Sequence, residues 1–248
     1  MNIRLLTATV FIATTLNTSL ATPPANFALK SESKHFKIFT QQEDSSVPDV
    51  LNRAEEVYAQ VTKHLNYAPS EKIDIMIFPS VESHHQYFNM QQAPAFLTSR
   101  VQNGSVFMVS PSNPGTYHTY QSLINRLGGA IVRSLIDKMP KTSKLPYWLT
   151  TGLGLYEAFN GQIIELYAQE LKTAVAHNQF LAFEQLANPT HPLASISAYS
   201  MAELLIQQHG MTAIPTLVRD FSKFEQIAGL SQEAFYAQWL AYIKKQYS

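Results

Sequence analysis

Two hydrophobic periods divide this chain, one of two residues in its first half and one of three to four in its second. Residues 33–40, SKHFKIFT, alternate polar and apolar side chains and predict a half-buried strand. Asp44 to Pro48 is polar and turn-like. Across 50–67, Leu51, Ala54, Val57, Val61 and Leu65 fall on one face of a helix. KIDIMIFP at 72–79 predicts a strand stopped by Pro79, and VESHHQYFNM at 81–90 a short helix. Residues 99–111 read as two strands around Asn103-Gly104, a favoured hairpin pair. After 117 the spacing is helical: 117–138, 150–159, 161–177, 180–187, 197–209, 211–220 and 231–246. Pro140, Pro146, Pro189, Pro192 and Gly229 punctuate these helices. Strands segregated ahead of helices predict an α+β fold, with a small N-terminal sheet and one or two helices followed by a helical C-terminal part.

The first twenty-one residues stand apart. MNIR is a short basic start, LLTATVFIATTL an apolar run too short for a membrane span, and Ser19 and Ala21 put small residues where a leader is cut. The expectation is a secretory signal peptide at 1–21 and a mature domain at 22–248, with a sheet-rich lobe at 33–111 and a helical lobe at 117–246. No later apolar run is long enough for an anchor. The chain has no cysteine, so no disulfide; export without disulfides fits a bacterial-type periplasm or the exterior.

Charge narrows the partners. Lys and Arg number 18, as do Asp and Glu, and no basic block or stripe occurs, so nothing points to nucleic acid. A nucleophile is equally hard to place: Ser110, Ser122 and Ser134 lack the G-x-S-x-G frame, and no phosphate-cradling glycine motif is present. His84 and His85 are adjacent and point apart on a helix, while His177 and His191 lie in different segments. These histidines read as solvent-facing or hydrogen-bonded, and no cofactor or metal is implied.

One stretch is more informative. Residues 117–159 run YHTYQSLINRLGGAIVRSLIDKMPKTSKLPYWLTTGLGLYEAF. Leu145-Pro146-Tyr147-Trp148-Leu149-Thr150-Thr151-Gly152-Leu153-Gly154-Leu155-Tyr156 follows the pattern P-x-W-L-x-E-G-h-A-x-Y, and Tyr199 to Ile206 with His209-Gly210 follows a helical tail pattern. In order and spacing, residues 35–246 resemble the bacterial peptidase MA-like domain, a gluzincin family of thermolysin-like zinc hydrolases. The resemblance implies a helix bearing H-E-x-x-H, two imidazoles for zinc and a general-base Glu, with a third ligand Glu on the next helix. Here the first His falls on Asn125, the base on Arg126, the second His on Gly129 and the third ligand on Thr151. None of these can do the family's work: Arg accepts no proton, Gly has no side chain, and Thr is not a usual zinc ligand.

The resemblance therefore implies an inactive metallopeptidase-like protein without stoichiometric zinc. Its cleft residues would be Arg126, Trp148, Tyr156 and Phe107. Arg126 would pair with Glu157 or Asp137, or bind a peptide carboxylate; Glu157 itself points away from Thr151. Gly128 and Gly129 would face a neighbouring helix or the old cleft, and 105–109 would be the sheet edge that holds extended substrate. Three functions stay open: a peptide- or protein-binding module, a hydrolase with a non-standard site, and a structural component of an envelope complex.

Overall fold

The structure, a computed structural model, describes residues 26–248 except 164 and 188–190; the leader expected at 1–21 lies outside the described residues. The first half forms β1 (Ala28–Glu32), β2 (Phe36–Thr40), α1 (Val47–His64), β3 (Ile73–Phe78), α2 (Val81–Tyr87), β4 (Ser99–Gln102) and β5 (Ser105–Val109). The five strands make one sheet in the order β1-β2-β3-β5-β4. β2, β3 and β5 run parallel, and β1 and β4 lie antiparallel at the two edges. β3 is central, which is why its sequence is a nearly unbroken apolar run. Ile73, Ile75 and Ile77 enter the main core, while Met76 and Phe78 pack with Phe27 and Phe107 in a separate cluster.

The hairpin between β4 and β5 turns on Asn103 (φ 51°) and Gly104 (φ 71°), both left-handed, as a two-residue turn with matching twist requires. Its tip is fastened to the next helix. Gly104 N–H donates to Asp137 Oδ2 at 2.7 Å, and Ser134 Oγ donates to Gly104 O at 2.5 Å.

The second half is helical: α3 (Tyr120–Lys138), α4 (Tyr147–Ala158), α5 (Glu165–Ala176), α6 (Pro192–His209), α7 (Ile214–Arg219), α8 (Phe224–Ala228) and α9 (Gln232–Tyr247). The fold is α+β, as the segregation of periods predicts. A capping box starts α3, with Thr119 and Ser122 exchanging side-chain and backbone hydrogen bonds. α4 is apolar nearly all round because it is enclosed, with α3 on one side and α6 on another. Small residues let these helices approach. A Cβ at Gly152 would lie 2.1 Å from Ala198 O, and one at Gly154 would lie 2.9 Å from Gly129 O. One core cluster runs from Phe36 in the sheet through α1, α3, α4 and α6 to Ile243 in α9, so both halves share it.

Four local expectations are corrected. β1 was not foreseen, because its side chains are mostly exposed and show no apolar alternation. The helix expected at 180–187 is a single 3-10 turn, Phe183–Ala187. The helix expected at 211–220 is a 3-10 turn followed by α7. The sheet edge is β4 and not 105–109: β5 lies between β3 and β4 and all five of its residues are buried.

Candidate functional site

A cleft of about 1100 Å³ opens where β4, α3 and α4 meet. One wall is the segment from Asn89 to Val101, which leads into and includes most of β4. The other wall is Arg126, Gly129 and Arg133 of α3, and Tyr147, Thr150, Thr151, Gly154 and Leu155 of α4, with Ser195 of α6 at one end. Two imidazoles hold the first wall. His85 Nε2 is 2.8 Å from Leu97 O and His118 Nε2 is 3.0 Å from Phe96 O, each ring N–H donating to a carbonyl that no strand would satisfy. Burial pulls the His118 imidazole below its ordinary pKa, against the pull of its bond to Phe96.

The free edge of the sheet faces this cleft. Val109 N–H donates to Thr98 O, so Thr98 and Val109 form a hydrogen-bonded pair. Pairs alternate along an antiparallel ladder, so Arg100 and Gln102 bond to β5, while Ser99 and Val101 turn their N–H and C=O groups to the open side.

The cleft's charge is one-sided. Among the described residues its lining holds three arginines, Arg100, Arg126 and Arg133, and no acidic side chain. Arg100 lies on the rim, over the Phe88 ring and beside Met90 Sδ. Arg133 is half-buried; its Nε donates to Gly129 O at 3.2 Å and its Nη2 to Ser99 Oγ at 3.3 Å, bridging α3 and β4. Burial pulls its guanidinium below the ordinary value; nearby Tyr147 opposes that and the charge of Arg126 adds to it. Arg126 donates no hydrogen bond to any described residue.

The structure separates the four residues on which the resemblance places a zinc site. Arg126, Gly129 and Thr151 line the cleft, but Asn125 lines a different depression, bounded by Asp49, Arg53 and Glu56 of α1. Gly129 stands in the α3–α4 crossing, where a Cβ would already be 3.2 Å from Gly154 O; Gly128 stands 3.1 Å, measured the same way, from Ala158 Cα. These residues do not fit a zinc ion: Arg126 is a cation, Gly129 has no side chain, Asn125 faces away from the other three, and Thr151 is not a usual zinc ligand. Among the described residues, no group of three or more His, Asp or Glu could hold a metal.

Of the four residues expected in the cleft, only Arg126 lines it. Trp148 is buried among Phe221, Phe224 and Phe235, because its position on α4 faces the C-terminal helices. Tyr156, one residue past the cleft-lining Leu155, is turned off the cleft by the helical rotation and stacks on Tyr199 of α6. Phe107 points to the sheet face covered by α2, packed on Phe78 and Phe88. Nor does Arg126 pair with the acids expected for it. Glu157 is buried and accepts from Gln60 Nε2 at 2.9 Å, with His64 Nδ1 at 2.7 Å, and Asp137 caps the hairpin turn.

Two cleft features were not anticipated. Arg133 lies seven residues after Arg126, which returns it to within about 20° of the same helix face; that spacing is present in the sequence. The edge role of β4 has no such signal, because strand order depends on contacts distant in sequence. No protein-family model matches the chain, and no curated protein matches it.

Proposed function

We propose that this chain is an exported, non-catalytic module built on a gluzincin-like scaffold, and that it binds an extended peptide or protein segment in the cleft between β4, α3 and α4. The observation that carries the reading is the open edge of β4 along that cleft, with the backbone groups of Ser99 and Val101 unspent. A peptide lying there adds a strand to the sheet: main-chain hydrogen bonds supply affinity, and the pockets beside Leu97, Tyr147 and Leu155 select side chains. The export premise rests on the leader pattern at 1–21. The scaffold premise rests on the α3–α4 motif and on the order of strand, helix, strand, hairpin and helix that leads to it. Among the described residues no carboxylate or imidazole lines the cleft, and the position that the resemblance gives to the general base carries Arg126.

The test is selection from a displayed random-peptide library, followed by titration of a selected peptide with backbone amide shifts recorded. The shifts should cluster at Ser99, Val101, Arg126 and Thr150. Val101→Pro removes an outward N–H and no ladder bond, so it should keep the fold and weaken the peptide. A selected peptide methylated on its strand-pairing amides should lose affinity in the same way. Shifts elsewhere on the surface, or cleavage of an unstructured protein by the purified chain, would sink the reading.

A further inference from the structure

We infer that Arg126 and Arg133 together form a carboxylate site, and that the segment bound in the cleft presents either its C-terminal carboxylate or an acidic side chain to them. The inference rests on the peptide-binding reading and names the chemistry its ligand must carry.

Three observations converge. The two side chains share one face of α3, two turns apart, and both line the cleft. Neither has an acidic partner among the described residues, where the ion pairs are Lys30–Glu43, His35–Glu55, Arg53–Glu56, His64–Glu157, Lys72–Glu32 and Lys223–Asp220. Their hydrogen-bonding capacity is also largely unspent, since Arg126 donates to no described residue and Arg133 uses two of its donors.

A half-buried guanidinium without a carboxylate loses hydration that nothing in the protein returns. A second cation beside it adds repulsion. An anion arriving from outside relieves both at once, and the planar fork of an arginine suits a carboxylate in bidentate geometry. The site is small in charge: two arginines lie on α3, Arg100 sits on the rim, and no lysine lines the cleft. That suits one carboxylate beside an otherwise uncharged, partly apolar segment, with Met90, Phe96, Leu97, Val101 and Leu155 to receive its side chains. Ser99 links the two parts, since its hydroxyl accepts from Arg133 while its backbone faces the strand position of the ligand.

The probes are an N-acetylated alanine–valine pentapeptide in three forms and free glutarate, each titrated at constant ionic strength with amide and arginine side-chain shifts recorded. The first form has a free C-terminal carboxylate, the second a C-terminal amide, and the third the amide with a central Glu. The two acid forms should bind more tightly than the plain amide, and the first and third forms tell which source the site prefers. Arg126→Gln should weaken the acid forms roughly tenfold to a hundredfold and leave the plain amide within about twofold. Arg133→Lys keeps the charge and loses the fork, and should also weaken them. Melting curves in buffer establish that each variant is folded. Equal binding of all three forms would keep the cleft as a peptide site and overturn the carboxylate assignment. Glutarate bound at the two arginines, with no peptide bound, would keep the carboxylate site and overturn the peptide reading. Binding by none of the probes, or acid binding indifferent to both substitutions, overturns the inference.

Discussion

His84 is buried to 1 % exposure, wedged edge-on between Phe78 and Phe88, and neither ring nitrogen has a hydrogen-bond partner among the described residues. Desolvation lowers its pKa from 6.5 to about 4, with the charges of His85 and Arg100 adding to the shift. The unfolded chain takes up a proton on this ring as pH falls through 6.5, whereas the folded chain does so only near 4. Between those values the unfolded state binds more protons, so stability falls with pH by an amount on the order of 3 kcal/mol. His84→Leu removes the group and keeps the volume. The wild-type-minus-variant difference in urea stability should therefore become more negative as pH falls below 6.5 and level off below 4, with Leu the more stable residue throughout acid. A difference that does not change with pH refutes this; taking the difference also cancels the acid losses of Asp44 and Glu55, whose pKa values are lowered. The four residues aligned with the gluzincin zinc site give a second residue-scale test of the proposed scaffold. The fourfold change Asn125→His, Arg126→Glu, Gly129→His and Thr151→Glu introduces the groups of the gluzincin zinc site, but the 129 side chain must enter a crossing where a Cβ is already 3.2 Å from Gly154 O. Metal affinity needs ligands held by a supporting shell. Weak zinc uptake by calorimetry and a lowered melting temperature are expected, and tight stoichiometric zinc in a stable variant would show that these four positions can hold zinc-ligand geometry.

At the scale of elements, the α3–α4–α6 stack depends on missing side chains. A Cβ on Gly152 would sit 2.1 Å from the Ala198 carbonyl, backbone that cannot rotate away, so α4 and α6 must separate. Gly152→Ala gains about 1 kcal/mol of helix propensity and should still lose stability, by roughly 1–3 kcal/mol net or more. Gly154→Ala, with 2.9 Å to Gly129 O, should lose less, and Gly129→Ala, with 3.2 Å, should lie close to wild type. Urea midpoints in any other order would mean the helices are not seated as described. This stack also marks how far the sequence could be read. The motif register placed Gly129 and Thr151 on facing helices, and the structure brings both to the cleft. The two-residue and helical periods gave most elements, because those periods reflect burial on one face. Elements without a buried stripe escaped, as with β1, whose residues are almost all exposed. Phe107, Trp148 and Tyr156 were misplaced for a related reason: an apolar period says that a side chain is covered, and not which of several surfaces covers it. Asn125 shows the same limit in a polar residue, one helical turn before Gly129 yet facing α1.

The sheet-rich and helical halves of the whole molecule are joined by shared core and by a few polar ties. Phe36, Ile38 and Ile75 from strands belong to the same cluster as Leu149, Tyr199 and Trp239 from helices. Glu157 of α4 reaches Gln60 and His64 of α1, Arg219 Nη2 donates to Asn66 O at 2.7 Å, and Tyr67 Oη donates to Lys138 O at 2.8 Å. At the far end α9 is locked by Trp239, whose Nε1 donates to Ser200 Oγ at 2.8 Å in the interior of α6. A core continuous across both halves gives neither half a separate surface to melt along, so unfolding should be a single cooperative step. Both tryptophans, Trp148 and Trp239, lie in the helical half, so fluorescence reports that half alone. Amide hydrogen exchange supplies the other half: in rising urea, the slowest amides of β3 and of α4 should converge on one opening free energy. If fluorescence is lost while β3 remains protected, the sheet and helices are independent units, and the continuity of the core across them does not govern stability. Trp239→Phe sharpens the test, because it removes the bond to Ser200 without touching the sheet. It should lower the exchange stability of β3 and α4 by the same amount, on the order of 1–3 kcal/mol. An effect confined to α6 and α9 would give the opposite answer.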